Sequence, residues 1–198
     1  MLANKTIVRV LFVLAGFLLL LSYSRADTLS PQAKPIIKTG QTECYDNLGN
    51  SINCEDTGQD GEFRKGMGWL QPRFTDHGNG TVTDNLTGFM WTKDAQQIQG
   101  TRQWNDALIL CNNFDFAGYT DWRLPNVREL ISLIDFGEHD PALPANHPFT
   151  NVQFIFYWSS TTYDAIPKHS WGVYLYNGYV YNYHKITEGY VWPVRHDK

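Results

Sequence analysis

An α+β domain built on a mostly antiparallel sheet is the class this sequence predicts, and three observations predict it. Asn-Gly turn signals punctuate alternating segments, two central stretches carry helical apolar spacing, and short β-rich runs return toward the end. With 198 residues there is room for about one domain and a short appendage, and 18% charged and 15% aromatic residues imply a packed, aromatic-rich core. The 16 Lys and Arg against 20 Asp and Glu exclude a nucleic-acid binder that relies on bulk positive charge.

Residues 1–26 read as an export signal. Lys5 and Arg9 precede an apolar run from Val10 to Leu21, and Ser24-Arg25-Ala26 places small residues around a cleavage point. The run is short of the ~20 residues that span a bilayer, so the membrane is touched only if this leader stays uncleaved. No acid lies in it, and removing its three bases leaves 13 basic against 20 acidic residues, a net charge of −7. The expected location is extracytoplasmic: periplasm, cell surface or secreted.

Residues 27–38, with Pro31 and Pro35, read as an extended lead-in, and residues 39–71 as a small β element bounded by glycine turns. Cys44 and Cys54 flank a segment centred on Gly49-Asn50, a turn-forming pair, so a hairpin sets the two sulfurs opposite one another and predicts a disulfide in an oxidising compartment. Cys111 is left over.

The main domain is assigned to residues 72–198. Arg73–Asp76 and Thr81–Asp84 form a hairpin across His77-Gly78-Asn79-Gly80, and Gly88–Thr92 continues as a core strand. Asp76, Asn79 and Asp84 are also candidate calcium ligands, although the distal Glu of an EF-hand is missing. Trp104, Ala107, Leu108, Cys111 and Phe114 recur at helical spacing and bury the leftover thiol. Asn126 caps a second helix, Glu129 completes a capping-box-like pair, and Val127, Leu130, Ile131 and Ile134 make its apolar face. A long loop, Asp135–Phe156, follows; loops of such length are usually functional. The chain closes with strands over Tyr157–Thr162, a hairpin from Ser170 to Lys185, and Gly189–Arg195.

The hairpin carries the main candidate site. Taking Asn177-Gly178 as a two-residue turn sets Tyr176 opposite Tyr179, Leu175 opposite Val180 and Tyr174 opposite Tyr181. Alternation then puts Trp171, Val173, Leu175 and Val180 on one face and Tyr174, Tyr176, Tyr179, Tyr181 and Tyr183 on the other. A tyrosine has a flat apolar body with a hydroxyl at its rim, so such a face can stack on sugar rings or anchor a protein; internal packing or subunit contact is the alternative. Glu138-His139-Asp140 in the long loop is the remaining candidate cluster, for ligand binding or, less well supported, acid–base chemistry. The six histidines show no close metal-ligand spacing, and no nucleophile elbow or Walker loop occurs, so neither enzyme activity nor a metal or cofactor is expected.

The words Thr39-Gly40-Gln41, Thr57–Gly61, Asn79–Gly88, Gly118–Asn126, Tyr157–Thr161 and Val191–Arg195 resemble, over residues 39–195, the Lcl C-terminal domain family, long of unknown function. It includes the adhesion domain of a bacterial collagen-like surface protein. The resemblance implies a C-type-lectin-like fold, two helices flanking a twisted antiparallel sheet with a long loop as ligand surface. Together with the tyrosine face it implies an exported module that recognises a glycan or protein ligand, in adhesion; a structural subunit that self-associates through the tyrosine face is the alternative. The helix cysteine of C-type-lectin folds, matched by Cys111, lacks its last-strand partner, whose position is Pro193, and the calcium-dependent sugar-binding words are missing; Trp104-Asn105-Asp106 falls in the first helix. A more distant likeness to formylglycine-generating enzymes, through Arg123-Leu124-Pro125, lacks their C-terminal cysteine pair. The family adhesin is trimeric and binds sulfated glycans; collagen-like repeats are absent here, and a net acidic chain meets a polyanion only through local bases. Those candidates are Arg64, Lys65 and Arg73, and Lys168, His169, Lys185, Arg195, His196 and Lys198. Asn79 and Asn85 both lie in Asn-x-Thr sequons.

Overall fold

The computed structural model describes residues 36–196, all within one compact unit, Pro35–Lys198. The predicted leader, the start of the lead-in and Lys198 lie outside the described residues.

The cysteine element forms as expected. Strands β1 (Cys44–Tyr45) and β2 (Ser51–Ile52) pair antiparallel, and Cys44 and Cys54 are bonded, with Cα atoms 5.2 Å apart. Asp46 organises the turn by accepting from the backbone N–H groups of Leu48 and Asn50 and from the Asn50 side chain. The following segment, read from its glycines as turns, contains a single helical turn, α1 (Asp60–Phe63).

The main body has two antiparallel sheets. The first joins β3 (Phe74–Asp76), β4 (Thr81–Asp84), β5 (Phe89–Thr92) and β9 (Val194–His196) in that order. The second joins β6 (Tyr157–Thr162), β7 (His169–Val173) and β8 (Val180–His184). Backbone bonds between Tyr190 and the Phe156–Trp158 segment link the run leading into β9 to β6. Helix α2 (Trp104–Asn112) buries Ala107 and Cys111, and α3 (Val127–Ser132) starts at Asn126 with both halves of the capping box present.

The larger core cluster includes Val82, Trp91, Leu130, Leu133, Leu143, Phe149, Tyr157, Leu175 and Trp192; the smaller contains Ile98, Ala107, Cys111, Leu124, Phe156, Trp158 and Val191. Three indole N–H groups at this interior find carbonyls: Trp104 donates to Ser159, Trp158 to Arg102 and Trp192 to Thr92, at 2.8–2.9 Å, whereas the Trp91 Nε1 is buried without a partner. Such pairing offsets the cost of burying an indole N–H. Burial pushes the Cys111 thiol up to about 12, which keeps it neutral and unreactive.

The long loop is tied down along its length. The Asp135 N–H donates to the Ala142 carbonyl, the Asp140 and Ala142 N–H groups reach the carbonyls of Tyr176 and Leu175, and Thr150 bonds to both Lys93 and Ala95. Its Ala142, Leu143 and Phe149 side chains are core residues.

One register departs from expectation. Val173 pairs with Val180, Gly172 with Tyr181 and Ser170 with Tyr183, and Tyr174 donates to Tyr179, so Leu175–Gly178 forms a four-residue connection in place of the two-residue turn. A type I′ turn needs positive φ at both central residues. Gly178 supplies it at φ 78, while Asn177 is not in that region. The carbonyls of Leu175 and Tyr176 are taken by the long loop and Leu175 is fully buried, and this tertiary pairing overrides the local turn signal.

Candidate functional site

The shift in register divides the five tyrosines. Tyr174, Tyr181 and Tyr183 still share a face, together with Tyr179, but Tyr176 leaves the strand and rests its ring on Phe154, centroids 5.5 Å apart. Tyr183 stacks on buried Phe156 at 4.0 Å with the rings 3° from parallel, and its hydroxyl donates to that of Tyr174 at 3.1 Å. Burial raises the Tyr183 hydroxyl pKa well above its ordinary value, with the Tyr174 hydroxyl adding to the effect. Tyr179 and Tyr181 are 70% and 61% exposed, and the Tyr181 ring meets that of Tyr183 edge-to-face at 5.6 Å. The expected uniform platform is thus a fixed base of Tyr174 and Tyr183 bearing two exposed rings, around a concavity of about 370 Å³ lined by Tyr174, Tyr179, Val180, Tyr181 and Tyr183.

Phe156 is what fixes that base. A methyl group built on Gly172 would lie 2.5 Å from its ring, and one on Gly189 would lie 2.3 Å away, so the aromatic edge fits only because both neighbours lack side chains.

The Glu138-His139-Asp140 cluster separates. His139 is 82% exposed by side chain and contacts Asp140 at 3.0 Å; Glu138 faces a different cavity from Asp140. Acid–base partners need mutual reach to a shared reacting atom, and these three side chains line no common cleft.

The calcium candidates are engaged in protein contacts. Asp76 binds Lys93 at 2.7 Å, Asn79 accepts from Thr81, and Asp84 pairs with Arg73 at 3.3 Å and accepts from the Leu86 N–H. Among the described residues no group of three His, Cys, Asp or Glu side chains is placed to hold a metal ion. Several basic candidates are likewise committed. Arg64 donates to the Gly61 and Thr42 carbonyls, Arg195 grips Asp121 beside the Tyr119 ring, and Lys185 lies 3.8 Å above Trp104.

The sequence words that carried the resemblance turn out to hold one another. Arg123 and Val194 exchange backbone bonds, Ser160 donates to the Pro125 carbonyl, and the Val127 N–H reaches the Thr161 hydroxyl. Arg123 grips Glu129 through two bonds of 2.7 Å, and Glu129 also caps Asn126. These residues build the frame on which the tyrosine hairpin hangs.

A second cavity, of about 560 Å³, escaped the sequence reading. It lies where Gly40, Thr42, Trp69 and Gln71–Phe74 meet Asp135, Gly137, Glu138 and the Pro144–Pro148 stretch. Gly40, at φ 94, makes the junction possible, because a methyl there would stand 1.9 Å from the Asp135 carboxylate and 2.9 Å from Trp69.

These features define a disulfide-pinned α+β domain with an ordered aromatic surface and, among the described residues, no helix long and apolar enough to cross a membrane. Residues 80–195 match the model of the Lcl C-terminal domain, and the chain belongs to that family. Comparison with curated proteins finds no match.

Proposed function

We propose that this protein is an exported, non-catalytic recognition module whose Tyr179 and Tyr181 bind a glycan or protein ligand, in adhesion. The observation that carries the reading is two exposed tyrosines mounted on a stacked, hydrogen-bonded base. The Tyr181 ring, resting on Tyr183, loses less freedom on binding than an unsupported one, and pre-organisation of this kind favours affinity. The disulfide is compatible with a compartment outside the cytoplasm. A C-type-lectin-like arrangement is supported by two helices beside antiparallel sheets and by a long ordered loop. Sulfated ligands have less support, since Arg73 and Arg195 are buried in ion pairs.

Self-association through the same tyrosines is the second reading, favoured by the nearby exposed Phe154 and Tyr176. The test is a glycan array probed with the wild type and with a folded Tyr179→Ala/Tyr181→Ala variant, with and without EDTA, alongside sedimentation. Specific binding lost in the variant and unaffected by EDTA is expected. Glycan binding that survives both substitutions contradicts the site, and a concentration-dependent mass abolished by them supports assembly.

A further inference from the structure

We infer that the outer edge of β8 takes an extended peptide, which adds to the second sheet as a fourth strand. The inference rests on the recognition reading above and names its ligand as polypeptide. β8 ends the order β6-β7-β8, with no strand on its far side among the described residues. Its pairing with β7 is bracketed by the Tyr179 carbonyl, which accepts from the Tyr174 N–H, and by the Lys185 N–H, which donates to the Lys168 carbonyl. Residues of an antiparallel strand alternate between bonding their partner and facing away from it. Tyr181 and Tyr183 therefore turn their N–H and C=O groups to β7, whereas Val180 and Asn182 turn theirs outward. Those outward main-chain groups meet no backbone partner among the described residues.

The other sheet edges are occupied or guarded. On β6 the Trp158 N–H is taken by the Tyr190 carbonyl and the Ser160 N–H by that of Pro125. On β9, Val194 exchanges bonds with Arg123. β3 is three residues long, lies just after Pro72 and carries the Asp76–Lys93 ion pair, while β1 and β2 have two residues each. Short strands, prolines and charges are the devices that keep an edge from pairing with another chain. β8 uses none of them: it runs for five residues, Val-Tyr-Asn-Tyr-His, without proline, lysine, arginine or an acid.

Space for side chains on both faces favours a peptide over a sugar. Neighbouring residues of an added strand point to opposite faces, and Val180 borders a concavity on each face of this edge. One is the tyrosine concavity. The other, of about 720 Å³, is lined by Ile131, Ile134, Phe136 and Trp171 as well as Val180; alternation puts Trp171 and Val180 on the face opposite Tyr181 and Tyr183. Lys38 and Arg128 also line this apolar groove and no carboxylate does, and neither base has an ion pair among the described residues. In strand addition the main chain supplies the bonds and pockets read alternate side chains. The groove thus suits an apolar residue with an acid two residues away, on the same face, to meet Lys38 or Arg128.

The test selects random peptides displayed on phage against the folded protein, titrates the enriched peptides by fluorescence anisotropy, and follows amide hydrogen exchange by NMR. In the free protein the Val180 and Asn182 amides are expected to exchange fast and those of Tyr181 and Tyr183 slowly. Bound peptide is expected to slow Val180 and Asn182. N-methylation walked along the peptide is expected to weaken binding roughly tenfold at every second residue and little in between; the change is made in the peptide, so the fold of the protein is untouched. Enriched sequences are expected to carry the apolar and acidic pair, and Arg128→Gln, an exposed substitution, to reduce the preference for the acid. Slow exchange of Val180 and Asn182 in the free protein, no enriched peptide, or binding without the alternating pattern overturns the inference. Protection of the two amides by raised protein concentration alone also overturns it, since a second copy then holds the edge. Non-alternating binding that is lost in a folded Tyr179→Ala/Tyr181→Ala variant refutes strand addition while leaving the tyrosine surface standing; an alternating pattern that persists in that variant supports strand addition and refutes the role of the tyrosines.

Discussion

Replacing Gly172 with alanine is expected to destabilise the protein although it adds only a methyl group to a strand. Gly172 lies in β7 opposite Tyr181, and the added carbon would stand 2.5 Å from Phe156 Cδ2, 3.1 Å from its Cγ and 3.2 Å from Tyr183 Cδ2. Neither ring can retreat easily, because they stack on each other at 4.0 Å and Gly189 closes Phe156 from another side. Overpacking of this kind costs about 1–3 kcal/mol, reduced by the ~0.5–1 kcal/mol that alanine gains over glycine in a strand. A net loss of about 1–2 kcal/mol would lower a urea midpoint by roughly 0.5–1 M at a slope of ~2 kcal/mol/M. Gly68 is the matched control, with open space around the same methyl and no left-handed backbone; Gly68→Ala is expected to be neutral or stabilising by up to ~1 kcal/mol. Shortening the obstructing ring with Phe156→Leu should lessen the cost of Gly172→Ala, a coupling that a double-mutant cycle measures. An unchanged midpoint for Gly172→Ala, or strict additivity with Phe156→Leu, would refute the claim that this slot fixes the tyrosine base.

Three further outcomes are expected. Asp135→Asn should raise the melting temperature near neutral pH, since burial raises the native carboxyl pKa and so penalises its ionised form; the advantage should fade as pH falls through the raised value toward the ordinary carboxylate range, and an advantage constant with pH would contradict it. Cys111 should resist a thiol reagent in the folded protein and react once denaturant is added, because its thiol is fully buried with a pKa pushed up to about 12; rapid labelling of the native protein would contradict its placement. Asn126→Ala removes the acceptor for the Arg128 and Glu129 N–H groups and should cost about 1 kcal/mol in chemical denaturation.

Elements whose causes are local were legible in the sequence. Gly49-Asn50 midway between Cys44 and Cys54 gave the disulfide hairpin, and Asn126 with Glu129 gave the start of α3. The tyrosine hairpin was legible in kind but not in register, since the partners of Leu175 and Tyr176 are Ala142 and Asp140 of the distant loop. Tyr176 was accordingly misplaced onto the strand face. The cavity beside Trp69 and Arg73 left no signal of its own. Trp69 lies in a glycine-rich stretch without period, and Arg73 read as one of several surface bases until the fold buried it against Asp84 and Ser132. A cavity assembled from residues near 40, 70 and 140 depends on long-range packing, to which local patterning is blind.

The grouping of Glu138, His139 and Asp140 shows the same limit from the other side. Neighbours in sequence on a tight loop diverge in direction, and here Glu138 joins the cavity of Trp69 and Arg73 while His139 faces solvent. His139 and Asp140 remain in contact at 3.0 Å, so adjacency in the chain keeps two of the three together.

The central claim is that Tyr179 and Tyr181 form a solvent-exposed surface carried on the Tyr174 and Tyr183 base. Nitration of tyrosines followed by peptide mass spectrometry, at dilute and concentrated protein, tests it most directly. The account predicts modification of Tyr179 and Tyr181 at both concentrations and protection of Tyr157, which is fully buried. Protection of Tyr179 and Tyr181 in the concentrated sample would contradict it, since another copy of the chain would then cover the surface proposed for ligand.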